Sequence, residues 1–417
     1  MTGATAHTSG DALGTRAAVV VFLTFAIAYF FSALVRAITA TLSPTLSLEL
    51  SLNAGDLGLL AGGYFLGFAM TQLPLGNWLD RHGPRKVIVA FLAVAVVGCM
   101  AFALATSFSG LLAARVLTGM GVSACLMAPL TGFRRWLTPA TQLRANSWML
   151  MTGSLGMVAA TLPVQWLMPY TGWRGLFWLL AGLIALSMVG LALVVPRWRP
   201  HPQGPASTAT GYRLIWRNPY FRQMLPIGFV NYGGMVAVQT LWAGPWMVKV
   251  AGYTPQQAAA GLFGINLSML CTFWLWGVVN PHLARRGLRP EHLIAWGLPS
   301  SFVVLVAIVW LGAGAGWGLW ALFCVSSTFV SLSQPAVALA LPAEAAGRAL
   351  SAYNLAIFGG VFGVQWGIGL LIEALTVFGW SEPVRYRGAI AFFGVCCVFA
   401  YLAFWRAWRG RPGAQAS

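Results

Sequence analysis

A succession of apolar runs, each long enough to cross a lipid bilayer, limits this chain more than anything else in it. A helix rises about 1.5 Å per residue, so about 20 apolar residues span the hydrocarbon core. Ala17 to Leu42, Leu57 to Leu79 and Val87 to Ala105 meet that length. Nine further runs lie near 110–132, 146–168, 174–195, 224–247, 257–279, 292–313, 316–341, 349–373 and 388–408. Lipid offers no water to satisfy backbone N–H and C=O groups, so such runs must be helices. The expected architecture is an all-α membrane protein with twelve transmembrane helices. Residues 1–16 are polar, and the first run is too long for the apolar core of a signal peptide, so it is expected to remain as the first span.

Charge agrees with that assignment. Only 8% of the 417 residues are charged, against roughly 25% in soluble domains. A net charge of +17 would suit a nucleic-acid binder, but such proteins gather Lys and Arg on one polar face. Here the basic residues sit in short gaps between apolar runs. The expected partners are therefore a lipid bilayer and a small-molecule substrate, with no nucleic acid and the chain acting as a monomer. Short cytoplasmic loops retain Lys and Arg. With the N-terminus in the cytoplasm, nineteen of the 25 basic residues fall inside, four (Arg174, Lys249, Arg385, Arg387) fall outside, and Arg36 and Arg115 fall within spans. Both termini are thus expected in the cytoplasm of a bacterial cell, on a multi-pass protein of its inner membrane. The six cysteines (Cys99, Cys125, Cys271, Cys324, Cys396, Cys397) all lie in expected spans, where thiols act as small apolar groups. No disulfide, metal site or cofactor is expected.

The longest hydrophilic stretch, Arg197 to Arg222, is rich in Pro, Gly, Ser and Thr and reads as a cytoplasmic linker. It divides the chain into a tail (1–16), a first six-helix bundle (17–196), the linker (197–222), a second six-helix bundle (223–408) and a second tail (409–417). The halves repeat one another. Leu79-Asp80-Arg81-His82-Gly83-Pro84-Arg85 recurs as Leu283-Ala284-Arg285-Arg286-Gly287-Leu288-Arg289, 204 residues on. Arg144-Ala145-Asn146-Ser147 answers Arg348-Ala349-Leu350-Ser351 at the same offset, and Val164-Gln165-Trp166 answers Val364-Gln365-Trp366 at an offset of 200. Three matches in order indicate duplication and hence two pseudo-symmetric bundles. Parallel repeats of six spans place a cavity at their interface near the midplane, and rocking of the halves opens it to alternate sides.

Two motifs carry a family resemblance. Gly76-Asn77-Trp78-Leu79-Asp80-Arg81-His82-Gly83-Pro84-Arg85-Lys86 joins the second and third spans. It resembles the signature of the major facilitator superfamily of secondary carriers at that loop, with Pro84 where a basic residue is usual. The resemblance covers nearly the whole chain. It implies a gate in which Gly76 permits close helix approach and Asp80 caps the start of the eleventh span near Arg348, with Arg81, Gly83 and Arg85 completing the motif. An anion there would be stabilised by the free N–H groups and dipole of the helix. The plainer reading is a solvated turn whose basic residues only set topology. Arg115, followed by Gly119 and Gly121, resembles the superfamily's fourth-span motif. Its role is either structural, through hydrogen bonds to carbonyls of the first span, or a substrate contact.

Arg36 lies well inside the first span, in Phe31-Ser32-Ala33-Leu34-Val35-Arg36-Ala37-Ile38. Its context resembles the first-span Arg of organophosphate:phosphate antiporters, whose seventh-span partner Arg has no match here. The matching region holds polar, uncharged candidates instead: Asn231, Tyr232, Gln239 and Trp242, the last as a cavity aromatic. Arg36 either contacts substrate or snorkels to the outer interface. The Gly-rich eleventh run (Gly359, Gly360, Gly363, Gly367, Gly369) resembles that of nitrate/nitrite porters, but their charged second-span residue is absent between Tyr64 and Gln72. It suggests tight packing against a neighbour.

The chain has eight acids, and none falls in mid-span; Glu373, at the outer end of the eleventh run, comes nearest. Two intramembrane Arg residues without an internal carboxylate leave a positive cavity that an anion would neutralise and a cationic drug would not enter. The expected function is secondary active transport of a small organic anion by alternating access, as exchange or with protons carried by the substrate. The alternatives are efflux of apolar or drug-like compounds, or a sensor derived from a transporter that moves no solute. An enzyme is not expected, because no nucleophile–base pair or metal set appears in or near a span.

Overall fold

The computed structural model describes residues 13–198, 208–341 and 343–410. Among these, all regular structure is helical, and twelve helical crossings follow one another. The first (Thr15–Glu49), eighth (Pro255–Arg285), eleventh (Ala343–Ala374) and twelfth (Glu382–Arg409) are single helices. The fourth (Phe108–Trp136), ninth (Pro290–Gly314) and tenth (Trp317–Leu339) contain joints. The second starts as Ala54–Met70 and passes through Thr71 into the helix Gln72–Leu104, which kinks at Gly83 where the third crossing begins. The fifth (Pro139–Ala159) breaks at Ala160 and Thr161 and enters the helix Leu162–Val194, whose turn at Gly172 starts the sixth. Large apolar side chains such as Leu186, Leu193, Val303, Val306 and Phe399 remain exposed around the outside. That surface suits lipid and not water.

The halves are visible in the packing. One cluster of buried apolar side chains runs from Val21 to Val195 through the first six crossings and takes in Ala237 and Val361; two others lie mainly in the last six, one of them reaching Ala40, Leu57 and Ala61 across the interface. The duplication is also visible in the backbone. Gly83 and Gly287, 204 residues apart, turn their loops with φ of 79° and 78°, a region that only glycine enters at little cost. The first described residue, the Asp80 loop and the segment between the halves share one end of the bundle, called here the terminal face: Leu13 N–H donates to the Trp136 carbonyl, Trp136 packs on Trp198, which reaches Asp80, and Tyr212 donates to the Leu73 carbonyl at 3.1 Å. The opposite end is the distal face.

Three expectations from the sequence need correction. The first helix does not stop at Leu42 but runs on to Glu49 through Pro44. Pro44 lacks the N–H that would meet the Ala40 carbonyl, which normally kinks or ends a helix. Here the Ser43 hydroxyl donates to that carbonyl at 2.8 Å, so the freed acceptor stays satisfied inside lipid. The segment 197–222 is not simply a loop. Residues 199–207 lie outside the described residues, but Thr208–Arg217 is a helix with Ile215 buried, and the seventh crossing already begins at Pro219. The Asn218 side chain accepts hydrogen bonds from Tyr220 and Phe221 N–H and caps that start. The seventh crossing is not a plain α-helix either, since Ile227–Tyr232 and Val238–Trp242 are π-helical turns.

Candidate functional site

The centre of the first half is built around two arginines on different spans. Arg115 is 1% exposed. It donates to the Val35 carbonyl at 3.2 Å and to Thr39 Oγ1 at 2.7 Å, and its guanidinium lies 5.1 Å from the centre of the Tyr64 ring. It therefore ties the fourth span to the first. The two glycines that follow explain its spacing. A methyl group at residue 119 would collide with the Tyr64 carbonyl, and one at residue 121 with the backbone of Ala95. Gly119 admits the second span and Gly121 the third, so Arg115 is held against the first span by close backbone packing on both sides.

Arg36 stands one residue past Val35 but differs in what it touches. Its guanidinium lies beside the phenol oxygens of Tyr29 and Tyr64 and 5.6 Å from the centre of the Phe68 ring. Its Nε is buried without a partner, yet part of the side chain remains accessible. Tyr29 is held by the fifth span, where its ring fills the space a side chain at Gly153 would need. Tyr64 donates its own hydroxyl to the Ser32 carbonyl at 3.3 Å, which leaves an oxygen lone pair for the cation. Arg36 lies 13 residues before the end of its helix, about 20 Å at the helical rise. Its head is turned into the bundle among aromatic rings, away from the headgroup level where a snorkelling side chain would put it.

Across the interface the seventh span contributes Tyr232, within electrostatic reach of both Arg36 and Tyr29 and partly accessible. The other seventh-span candidates lie elsewhere. Asn231 donates to the Cys397 carbonyl of the twelfth span at 3.3 Å, Gln239 to Asn266 of the eighth at 3.0 Å, and Trp242 to the Gln365 carbonyl of the eleventh at 3.1 Å. All three are buried, and Trp242, at 1% exposure, has no open face for a cavity. The π-helical turns explain this placement. Each changes the register of the helix, so positions that share a face in an α-helix no longer do. Pro226, without an N–H, directly precedes the first of them.

The loop between the second and third spans is organised by a residue outside it. Trp198, just beyond the sixth span, donates its indole N–H to the Asp80 carbonyl at 3.3 Å and packs where a side chain at Gly83 would be. Arg135 stacks on the same indole at 4.7 Å. Gly83 is thus required twice, by its positive φ and by Trp198. Pro84 sits in the first turn of the third span, where its missing N–H has no intrahelical partner to lose. Arg85 donates to the Val195 carbonyl at 3.2 Å, and Arg81 is exposed. The Asp80 carboxylate lies within electrostatic reach of Arg134 in its own half and of Arg348 at the start of the eleventh span. Gly76 has less company than expected, for a methyl group there would meet only Ser351 Oγ, at 3.9 Å.

Residues 25–364 match the sequence profile of the Major Facilitator Superfamily. The chain belongs to this superfamily. It is similar to a 3-(3-hydroxy-phenyl)propionate transporter of Escherichia coli, with 26% identity over 361 residues that cover 78% of this chain and 82% of the relative. It is also similar to the multidrug resistance protein MdtM of Salmonella typhimurium, with 26% identity over 277 residues, 58% of this chain and 66% of the relative. In structure it resembles a bacterial homologue of the human lysosomal transporter Spinster in an inward-facing, unoccupied conformation. The TM-score is 0.77 at 17% identity, covering 95% of this chain and 98% of the other.

As a superfamily member the chain keeps the signature loop and the fourth-span Arg, and the structure adds residues that the motifs do not name. Tyr29, Tyr64 and Trp198 were not singled out from the sequence. A signal for the first existed: Tyr29, Ser32 and Arg36 stand at i, i+3 and i+7 and so share one face of the first helix. For Tyr64 and Trp198 no local signal exists, because each meets its partner through the packing of another span.

Proposed function

We propose that this protein is a secondary carrier that moves a small organic anion across a bacterial inner membrane by alternating access, and that Arg36 binds the anion. The observation that carries the reading is the partly accessible, incompletely partnered Arg36 guanidinium at mid-bundle, in a chain whose sequence places no acid in mid-span. A charge buried in lipid is costly unless it is paired, so an incoming anion supplies what the protein omits. The relative that transports 3-(3-hydroxy-phenyl)propionate supports an organic acid. The basic bias of the loops supports placing the terminal face in the cytoplasm. Transport then runs as exchange, or with a proton carried on the substrate.

The test is binding and uptake of a panel of organic acids by purified protein in proteoliposomes. Arg36→Lys keeps the charge but loses the planar fork that matches a carboxylate. It is expected to weaken binding roughly tenfold, and Arg36→Ala roughly a hundredfold, since hydrogen bonds to charged groups contribute about 1.5–3 kcal/mol. Both variants should purify and elute like the parent. If Arg36→Ala moves an anion as well as the parent does, Arg36 does not bind it, and if the parent moves none of the organic acids in the panel, the anion reading falls. The multidrug relative would then point to efflux of uncharged compounds.

A further inference from the structure

We propose that the transported anion is an aromatic monocarboxylate, with its carboxylate on Arg36 and its ring against aromatic side chains drawn from both halves. This rests on the anion reading above and narrows it.

The number of charges follows from the two arginines. Each has a buried Nε without a partner, but Arg115 is engaged by Val35 and Thr39 and sealed from solvent, whereas Arg36 remains partly accessible. These are the two basic residues that the sequence places within spans. One open cation neutralises one negative charge. A second carboxylate would enter a low-dielectric space with no cation to meet it, at a cost that rises as the dielectric falls.

The nature of the remaining surface follows from what surrounds Arg36. Tyr29, Tyr64 and Phe68 come from the first half and Tyr232 from the second. Phe358 of the eleventh span stacks behind them, its ring centre 4.4 Å from that of Phe68 and 6.2 Å from that of Phe65, and it remains partly accessible. The hydroxyl of Tyr64 is already donated to Ser32. Beyond the phenol oxygens of Tyr29 and Tyr232 this shell presents ring carbon, so a sugar acid or other polyhydroxy acid would leave most of its hydroxyls unmatched, and each unmatched hydroxyl costs free energy. A flat ring needs only ring faces and edges, and aromatic pairs gain beyond their buried area. Because Phe358 and Tyr232 belong to one half and Arg36 and Phe68 to the other, such a ligand touches both halves at once. It therefore binds the closed arrangement more tightly than an opened one, which is what a ligand must do to shift that equilibrium.

The experiment is ligand-induced thermal shift and counterflow in proteoliposomes with four probes of similar size: benzoate, cyclohexanecarboxylate, benzyl alcohol and phthalate. Benzoate is expected to bind roughly three- to tenfold more tightly than cyclohexanecarboxylate, which has the same charge but no π face. Phe358→Leu, which keeps the bulk and removes the ring, should narrow that difference. The probe comparison on the unaltered protein decides the matter even if that variant folds poorly. Equal affinity for benzoate and cyclohexanecarboxylate overturns the aromatic assignment and leaves the anion reading standing. Benzyl alcohol binding as tightly as benzoate overturns both. Phthalate binding as tightly as benzoate overturns the single charge, and no binding of benzoate at millimolar concentration overturns the proposal outright.

Discussion

The second and eleventh spans cross the interface between the halves together, and their two ends are joined in different ways. At the distal face they meet backbone to backbone. A methyl group at Gly58 would collide with the Gln365 carbonyl, and one at Gly369 with the Ala54 carbonyl. The Glu373 carboxylate then accepts a hydrogen bond from Ala54 N–H at 3.0 Å. That N–H belongs to the first turn of the second span and has no partner within its own helix, while Asn53 and Asp56 form a capping box beside it. At the terminal face the contact is made by side chains. A methyl group at Gly76 would make only ordinary contact with Ser351 Oγ, Asp80 lies within electrostatic reach of Arg348, and Tyr212 reaches Leu73. The other acids of the distal face pair within one half, Glu49 with Arg174 and Glu382 with Lys249. The comparison shows one end shut by shape with a single charge added, and the other held by charge and one hydrogen bond. The tightest glycine contacts between these two spans lie at Gly58 and Gly369.

The largest effect should come from testing shape. Gly58→Ala is expected to disfavour distal closure by about 1–3 kcal/mol, the usual cost of overpacking. Gly76→Ala, the same change at the terminal end, should leave closure nearly unaltered. Spin labels at Leu52→Cys and Thr376→Cys on a background without native cysteines would report the distal opening. Equal distance distributions for the two glycine variants would erase the distinction drawn here. Next comes Glu373→Ala, which removes the carboxylate that joins the eleventh span to the second at that end. It should favour distal opening by about 1–2 kcal/mol, visible as a longer population between the same labels, while a substrate-driven exchange continues. Loss of exchange in Glu373→Gln would make Glu373 a coupling residue and not a latch. The smallest effect is expected from Asp80→Asn, about 1 kcal/mol and opposite in sense, favouring opening at the terminal face. Accessibility of introduced cysteines to a reagent added on that side would measure it; no change would reduce Asp80 to a loop residue.

Much of the fold was legible in the sequence. The runs of apolar residues, their number, the midpoint and the repeat of the Gly83 and Gly287 turns all follow from local pattern. The signature loop and the fourth-span arginine were legible as motifs, although their physical basis was not. That Gly119 and Gly121 exist for the Tyr64 and Ala95 backbones, or Gly83 for Trp198, depends on atoms many residues away. The seventh span shows where local reading fails. Asn231, Gln239 and Trp242 were candidates to line the cavity, and in a span with two π-helical turns they are held instead in hydrogen bonds to three other spans.

What the sequence determined by itself is the class of structure: a chain of twelve helices in two related halves. The reason is local, since each backbone group in lipid must find its partner a few residues along the same strand of chain. What only the tertiary structure decided is which of two neighbouring arginines is available. Arg36 and Arg115 have the same side chain, comparable depth and no acid nearby in sequence. Arg115 meets Val35 and Thr39 and is sealed, while Arg36 meets aromatic rings and remains partly accessible. That difference arises from how the fourth, second and fifth spans pack on the first, a sum of contacts between distant segments that no pattern within one segment contains.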